Sequence, residues 1–219
     1  VTNALNMPSL SAEEAPRVKP YMKLAEQLGG LIGQLGGEGM TAIAIEVEGA
    51  AAEINQKPIT GAVLAGLMRT YSDTVNMVNA PFLARERGLD VREVRHDREG
   101  DYHSLIREAA TTPDGEKSVA ATLFANSQPR LVEIFGIKVE ADLAGDMLFI
   151  ANDDAPGFIG RLGTCLGEAG VNIGTFHLGR PSAGRAAVLL LSVDSPVSEP
   201  VMWQICRLPG VRTVKALSF

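Results

Sequence analysis

The chain has 219 residues, of which 46% are hydrophobic and 21% charged, with a formal net charge of −6. That composition excludes a disordered chain and leaves room for one large or two to three small domains. No Lys/Arg stripe accompanies the acidic balance, so nucleic acid is not an expected partner. No apolar run reaches the length of a membrane span, and no membrane partner or signal peptide is read from the sequence.

Residues 1–39 differ in character from the rest. Ser11 and Glu14 have capping-box spacing. Pro16 and Pro20 discourage one straight helix, whereas Pro20 suits the first turn of a new one. From Tyr21 onward, Leu24, Leu28, Leu31 and Leu35 repeat at the spacing of a one-sided helix, and Gly36–Gly39 ends it.

Residues 40–143 read as an α+β domain with an antiparallel sheet. A strand is expected over 41–48, a helix over 59–71 and a second helix over 79–88, capped by Asn79 and stopped by Gly88. Strands follow over 89–95, 102–109, 117–124 and 130–135, with Pro113-Asp-Gly115 as a turn.

Residues 144–219 give strand (147–152), helix (156–169), strand (171–178), strand (186–193), helix (199–208), strand (211–217). This is the βαββαβ order of a ferredoxin-like domain. Its first strand runs through Asn152-Asp-Asp154 into Ala155-Pro-Gly157. A strand end and a helix start there, with a second strand headed by Asn172, suit a cavity for a free amino acid. The helix N-terminus offers N–H groups and a positive dipole end to a carboxylate. Asp154 and the side-chain oxygen of Asn172 can accept from the ammonium, and Asn152 can bind a hydroxyl. Pro156, Gly157 and Phe158 complete the candidate set, Gly157 by allowing close backbone approach. Against this stands a plainer role: a helix cap for Asp154 and turn chemistry for the asparagines.

Asp154-Ala-Pro-Gly157, Gly170-Val-Asn-Ile173 and Leu208-Pro-Gly-Val211 together resemble an ACT domain, a small-molecule-sensing module. Asn3–Pro8, the helix from Tyr21, Ile59–Leu67 and Val75–Pro81 extend the resemblance over essentially the whole chain, to long-form D-3-phosphoglycerate dehydrogenase. The resemblance implies three parts. These are the tail of a substrate-binding domain with linker (1–39), an intervening α/β-sheet domain that binds substrate allosterically (40–143), and an ACT regulatory domain (144–219). It implies L-serine as the effector, held where two ACT domains meet, and a cytoplasmic homo-oligomer associating through its ACT and intervening domains. Where some members place His or Tyr, this chain has Asn152. The family also implies anion binding in the intervening region, for which Arg130 and Lys138 are the candidates. Asp142 stands where some relatives carry a further basic residue.

The parent family is an NAD-dependent oxidoreductase of L-serine biosynthesis. This chain carries no G-x-G-x-x-G after a strand, and Gly29, Gly30, Gly33 and Gly36 lie in or after a helix. The expectation is therefore no catalytic residue, no cofactor site and no metal site in this chain, with NAD bound elsewhere in the parent. The chain begins at Val1 and is expected to be a piece of something longer. Cys165 and Cys206 fit neither a disulfide framework nor a metal spacing; both read as small apolar residues on helices of a reducing compartment. His96 and His103 read as loop residues, and Trp203 as core or interface. Two other readings stand beside this one: a stand-alone amino-acid-sensing ACT protein, and the regulatory subunit of an iron–sulfur L-serine dehydratase. The latter calls for cluster-ligating cysteines and a Ser-Ser-Ser-His stretch, neither of which is found here.

Overall fold

A computed structural model describes residues 14–96, 100–182 and 186–219. Ser11 of the expected capping box lies outside them. The chain divides between Phe135 and Gly136 into two compact units.

The first unit opens with helix α1 (Ala15–Gly36), followed by strand β1 (Ala42–Gly49), a 3-10 turn (Ala50–Glu53), α2 (Gln56–Met68), α3 (Ala80–Glu86) and strands β2 (Asp90–His96), β3 (Ser104–Thr112), β4 (Gly115–Phe124) and β5 (Gln128–Ile134). The expected break at the prolines is not there: α1 is one helix with Pro20 inside it. Pro16 sits in the first turn, where a missing N–H costs nothing, and Pro20 removes a single bond near that end. The resemblance assigned this segment to the tail of a preceding domain. Its face of Leu24, Leu28, Leu31, Ile32 and Leu35 is buried, and the helix packs on α2, β3, β4 and β5 of this same unit.

Two helices without side chains at their crossing let α1 and α2 approach closely. A Cβ on Gly66 would fall 2.0 Å from the carbonyl oxygen of Glu26, and one on Gly29 would fall 2.1 Å from that of Val63. Within this unit the strands run in the order β2-β1-β3-β4-β5. The pairs β1–β3, β3–β4 and β4–β5 are antiparallel as expected, but β1 and β2 are parallel. The sheet is therefore mixed, because α2 and α3 form a helical crossover that returns the chain to the same end. At the end of α3, Gly88 has φ +72° and Leu89 N–H donates to Ala84 O, the stop expected of that glycine. Asn79 does not cap with its side chain. Its Oδ1 instead accepts from Asn76 N–H at 2.8 Å, and Asn76 Oδ1 accepts from Val78 and Asn79.

The second unit begins with β6 (Ile137–Ala141), a strand not expected from the sequence. It continues with β7 (Asp146–Asp153), α4 (Phe158–Glu168), β8 (Ile173–Gly179), β9 (Ala186–Val193), α5 (Glu199–Cys206) and β10 (Val211–Ser218). From β7 onward the order is βαββαβ. The four strands pair antiparallel as β10-β7-β9-β8, the ferredoxin-like arrangement. Phe158, Leu162 and Leu166 repeat every fourth residue along α4 and pack, with Ile205 of α5, on Leu148, Ile150, Leu189 and Leu191 of the sheet. Among the described residues, no helix is long and apolar enough to cross a membrane.

Candidate functional site

The site grows from the way β7 ends. Asn152 is the last inward-facing residue of the strand and is 2% exposed. Its Nδ2 donates to Asp153 O at 2.7 Å, which fixes the amide so that Oδ1 points away as an acceptor. That oxygen is buried and meets no hydrogen-bonding partner among the described residues. A buried acceptor left unpaired costs on the order of 1–3 kcal/mol.

The chain then turns through Ala155 and Pro156 to Gly157, which holds φ +81°. Gly157 is the N-cap of α4 and, as a glycine, brings no side chain to the cap. Asp154 precedes that N-cap by three residues. Its carboxylate accepts from Arg180 Nη1 at 2.8 Å. At the helix start Phe158 N–H donates to Ala155 O at 3.3 Å, and the positive end of the dipole lies at this turn.

Asn152, Asp154, Pro156, Gly157 and Phe158 line one groove of about 580 Å³, together with Leu178, Leu189 and Arg180. Five of the six residues expected at an effector site thus come together. Asn172 does not line the groove. It is exposed at the far end of β8, where its Nδ2 donates to Asp194 Oδ2 at 2.7 Å. The residue that sequence reasoning missed is Arg180. The usable signal was the strand order: the ends of β7 and β8 flank the start of β9 on either side, which brings the residue after Gly179 to the same end of the sheet as Asp154.

The two anion candidates belong to different units. Arg130, half-buried on β5, lies over the Phe124 ring at 5.4 Å, and Lys138 is exposed on β6. His96 is not in a loop: it ends β2, half-buried, with Nε2 3.3 Å from Glu46 Oε2. On the same face Arg107 makes a bidentate contact with Glu133. That hydrogen bond, reinforced by Glu133, Glu46 and Glu48, raises the Arg107 pKa further against the opposing effect of burial. Trp203 is not core: it is 61% exposed, with Arg207 stacked 4.2 Å from its ring centre. Cys206 is exposed, whereas Cys165 is half-buried against the core, and burial pushes its thiol pKa up. A reactive thiolate needs the opposite shift.

The glycines that could suggest a phosphate loop are consumed by helix packing, since Gly29 and Gly33 lie against the α2 backbone. No described group of three His, Cys, Asp or Glu residues is placed to hold a metal ion.

A mixed-sheet α+β unit followed by a ferredoxin-like unit with a groove at its β7–α4 turn is the class that this fold and site define. Residues 17–135, ending where the first unit ends, match the model of the D-3-phosphoglycerate dehydrogenase intervening domain, and the chain belongs to that family. Over 99% of its length it is 32% identical to D-3-phosphoglycerate dehydrogenase from Bacillus subtilis, covering 42% of that protein. It is 33% identical over 96% of its length to the Synechocystis protein of the same name, covering 38% of it. Against that from Methanocaldococcus jannaschii it is 31% identical over 99%, covering 41%. The chain thus spans about two fifths of the length of these curated relatives.

Proposed function

We propose that this chain is the regulatory portion of a D-3-phosphoglycerate dehydrogenase, and that its second unit is an ACT domain binding L-serine as an allosteric effector. The observation that carries this reading is the buried Oδ1 of Asn152, without a hydrogen-bonding partner among the described residues, at the base of a groove flanked by a carboxylate and the N-terminus of α4. A small hydroxy amino acid complements each of these elements. Its hydroxyl donates to Asn152 Oδ1, its ammonium lies against Asp154, and its carboxylate accepts from the first N–H groups of α4.

The reading includes assembly. β8 is an edge of its sheet, and Phe176, Leu178 and nearby Ile159 are large apolar residues left exposed. Edge strands of this kind pair with a copy of themselves. Antiparallel pairing of two β8 strands about Phe176 would set Asn172 of the partner subunit opposite Arg180, at the mouth of the groove. Serine binding would then shift the balance between domain arrangements and reach an active site carried by the rest of the enzyme. That remainder would hold the NAD and the catalytic residues and act in the cytoplasm on the first step of L-serine formation.

Calorimetry tests the assignment. Wild-type chain should bind L-serine, and Asp154→Ala should abolish or strongly weaken the binding. Equal binding by the variant rejects the site.

A further inference from the structure

Arg180 follows the last residue of β8 and reaches across the groove to Asp154, its Nη1 2.8 Å from Oδ2. The carboxylate side chain is 21% exposed and the guanidinium side chain 52%, so the cation stands at the mouth and the anion behind it. Deeper still lies the buried Oδ1 of Asn152, with no partner of its own. A second guanidinium folds back on the same helix end: Arg161 Nη1 lies 3.0 Å from where a Cβ on Gly157 would be. One guanidinium thus lines the groove and another lies against the glycine at the helix start.

An α-amino acid carries opposite charges on one carbon, roughly 3 Å apart by ordinary covalent dimensions. Asp154 and Arg180 present opposite charges at nearly the same separation. Two such pairs fit side by side in opposite sense, ammonium against Asp154 and carboxylate against Arg180. Resting on the effector reading above, we propose that Arg180 is a specificity-determining residue of this groove. It receives the carboxylate of the bound amino acid together with the α4 N–H groups, and so selects zwitterions over amines of the same size. An amine without a carboxylate would separate Asp154 from Arg180 and leave the guanidinium without a counter-charge, which penalises it. A zwitterion keeps every charge paired.

The test compares L-serine with L-serinamide, which keeps the ammonium and hydroxyl but has no carboxylate. Both are titrated calorimetrically into wild-type chain, Arg180→Ala and Arg180→Lys. Arg180 is exposed, and thermal melts verify that the variants fold. The expected result is preference for L-serine in the wild type. Arg180→Ala should weaken L-serine by roughly ten- to hundredfold, the loss of a charge-assisted hydrogen bond. Serinamide should be little affected, so the preference collapses, and Arg180→Lys should restore part of it. Tighter or unchanged serine binding by Arg180→Ala would make Arg180 a mere competitor for Asp154 and overturn the inference while leaving the effector site standing. Failure of wild-type chain to bind L-serine would overturn both.

Discussion

Asn152 and Asn172 stand at opposite ends of one sheet. Asn152 pairs with Ala187 at the start of β9, and Asn172 immediately precedes Ile173, which pairs with Val193 at its end. Six residues of strand separate the two levels, about 20 Å. One chain cannot bring both amides to one small molecule, whereas a β8-to-β8 pair can. Asn172→Ala should therefore leave the melting temperature nearly unchanged, because the amide is exposed and its bond to Asp194 lies at the surface. It should weaken L-serine binding at protein concentrations where the chain is paired and have no effect where it is monomeric. Sedimentation velocity run beside calorimetry separates the two regimes. An effect that persists in the monomer would contradict the geometry.

The buried acceptor of Asn152 makes a second prediction, in which stability and binding move apart. Replacing the amide with Leu removes an unpaired polar atom from beside Phe158 and Leu189. The Asn152→Leu chain should be at least as stable to urea as wild type, since the lost bond to Asp153 O is offset by the removed desolvation penalty. Binding should lose its hydroxyl discrimination: L-serine and L-alanine should become equivalent. Retained preference for serine would place the hydroxyl elsewhere.

Much of this fold was legible from the apolar pattern of its elements. Leu24, Leu28, Leu31 and Leu35 marked the first helix from Tyr21 onward, and the unbroken apolar runs around Phe149 and Leu190 marked two strands of the second sheet. What escaped was set by tertiary partners. The parallel pairing of β1 with β2 depends on where a two-helix crossover returns, which no local pattern encodes. β6 was passed over although Ile137, Val139 and Ala141 alternate with polar residues. Pro20 is tolerated because the lost bond lies near a helix start. At the site, Asn152 and Asp154 were legible from the strand end and Pro-Gly turn. Arg180 was not, because its partner lies 26 residues away and the pairing appears only once the strand order is known.

The glycine crossing of α1 and α2 yields a contrast between two Gly→Ala changes. Gly66→Ala puts a methyl group 2.0 Å from the Glu26 carbonyl, so the helices must separate. The expected cost is about 1–3 kcal/mol or more. Gly163→Ala lies in α4, where a Cβ would meet nothing within 4 Å; it should stabilise the second unit by about 0.5–1 kcal/mol. Differential scanning calorimetry, following the units as separate transitions where they resolve, reads both signs. A neutral Gly66→Ala would mean that the helices do not approach as closely as described.

The last prediction concerns Glu108, at the middle of β3. It is fully buried, neither carboxylate oxygen has a hydrogen-bonding partner among the described residues, and its cross-strand neighbours on the same face are Ile45 and Val119. Burial alone raises its pKa well above 4.5, so the folded first unit holds it as a neutral acid. In the unfolded chain the same group ionises near the ordinary carboxylate value. Below that value both states are protonated, and Glu108 adds no pH dependence. Above it the folded state holds a proton that the unfolded state has released. Stability contributed by this group therefore falls as pH rises, until the folded pKa is passed. Urea denaturation from about pH 5 to about pH 9 should show that decline in wild type against the more usual acid-side loss. Glu108→Gln should flatten the slope without removing the buried polar group. Glu108→Met, close in size and without a polar atom to desolvate, should flatten it and also raise the midpoint at neutral pH. A slope that survives both substitutions would assign the titration to another group and the burial of Glu108 to a polar environment that this structure does not show.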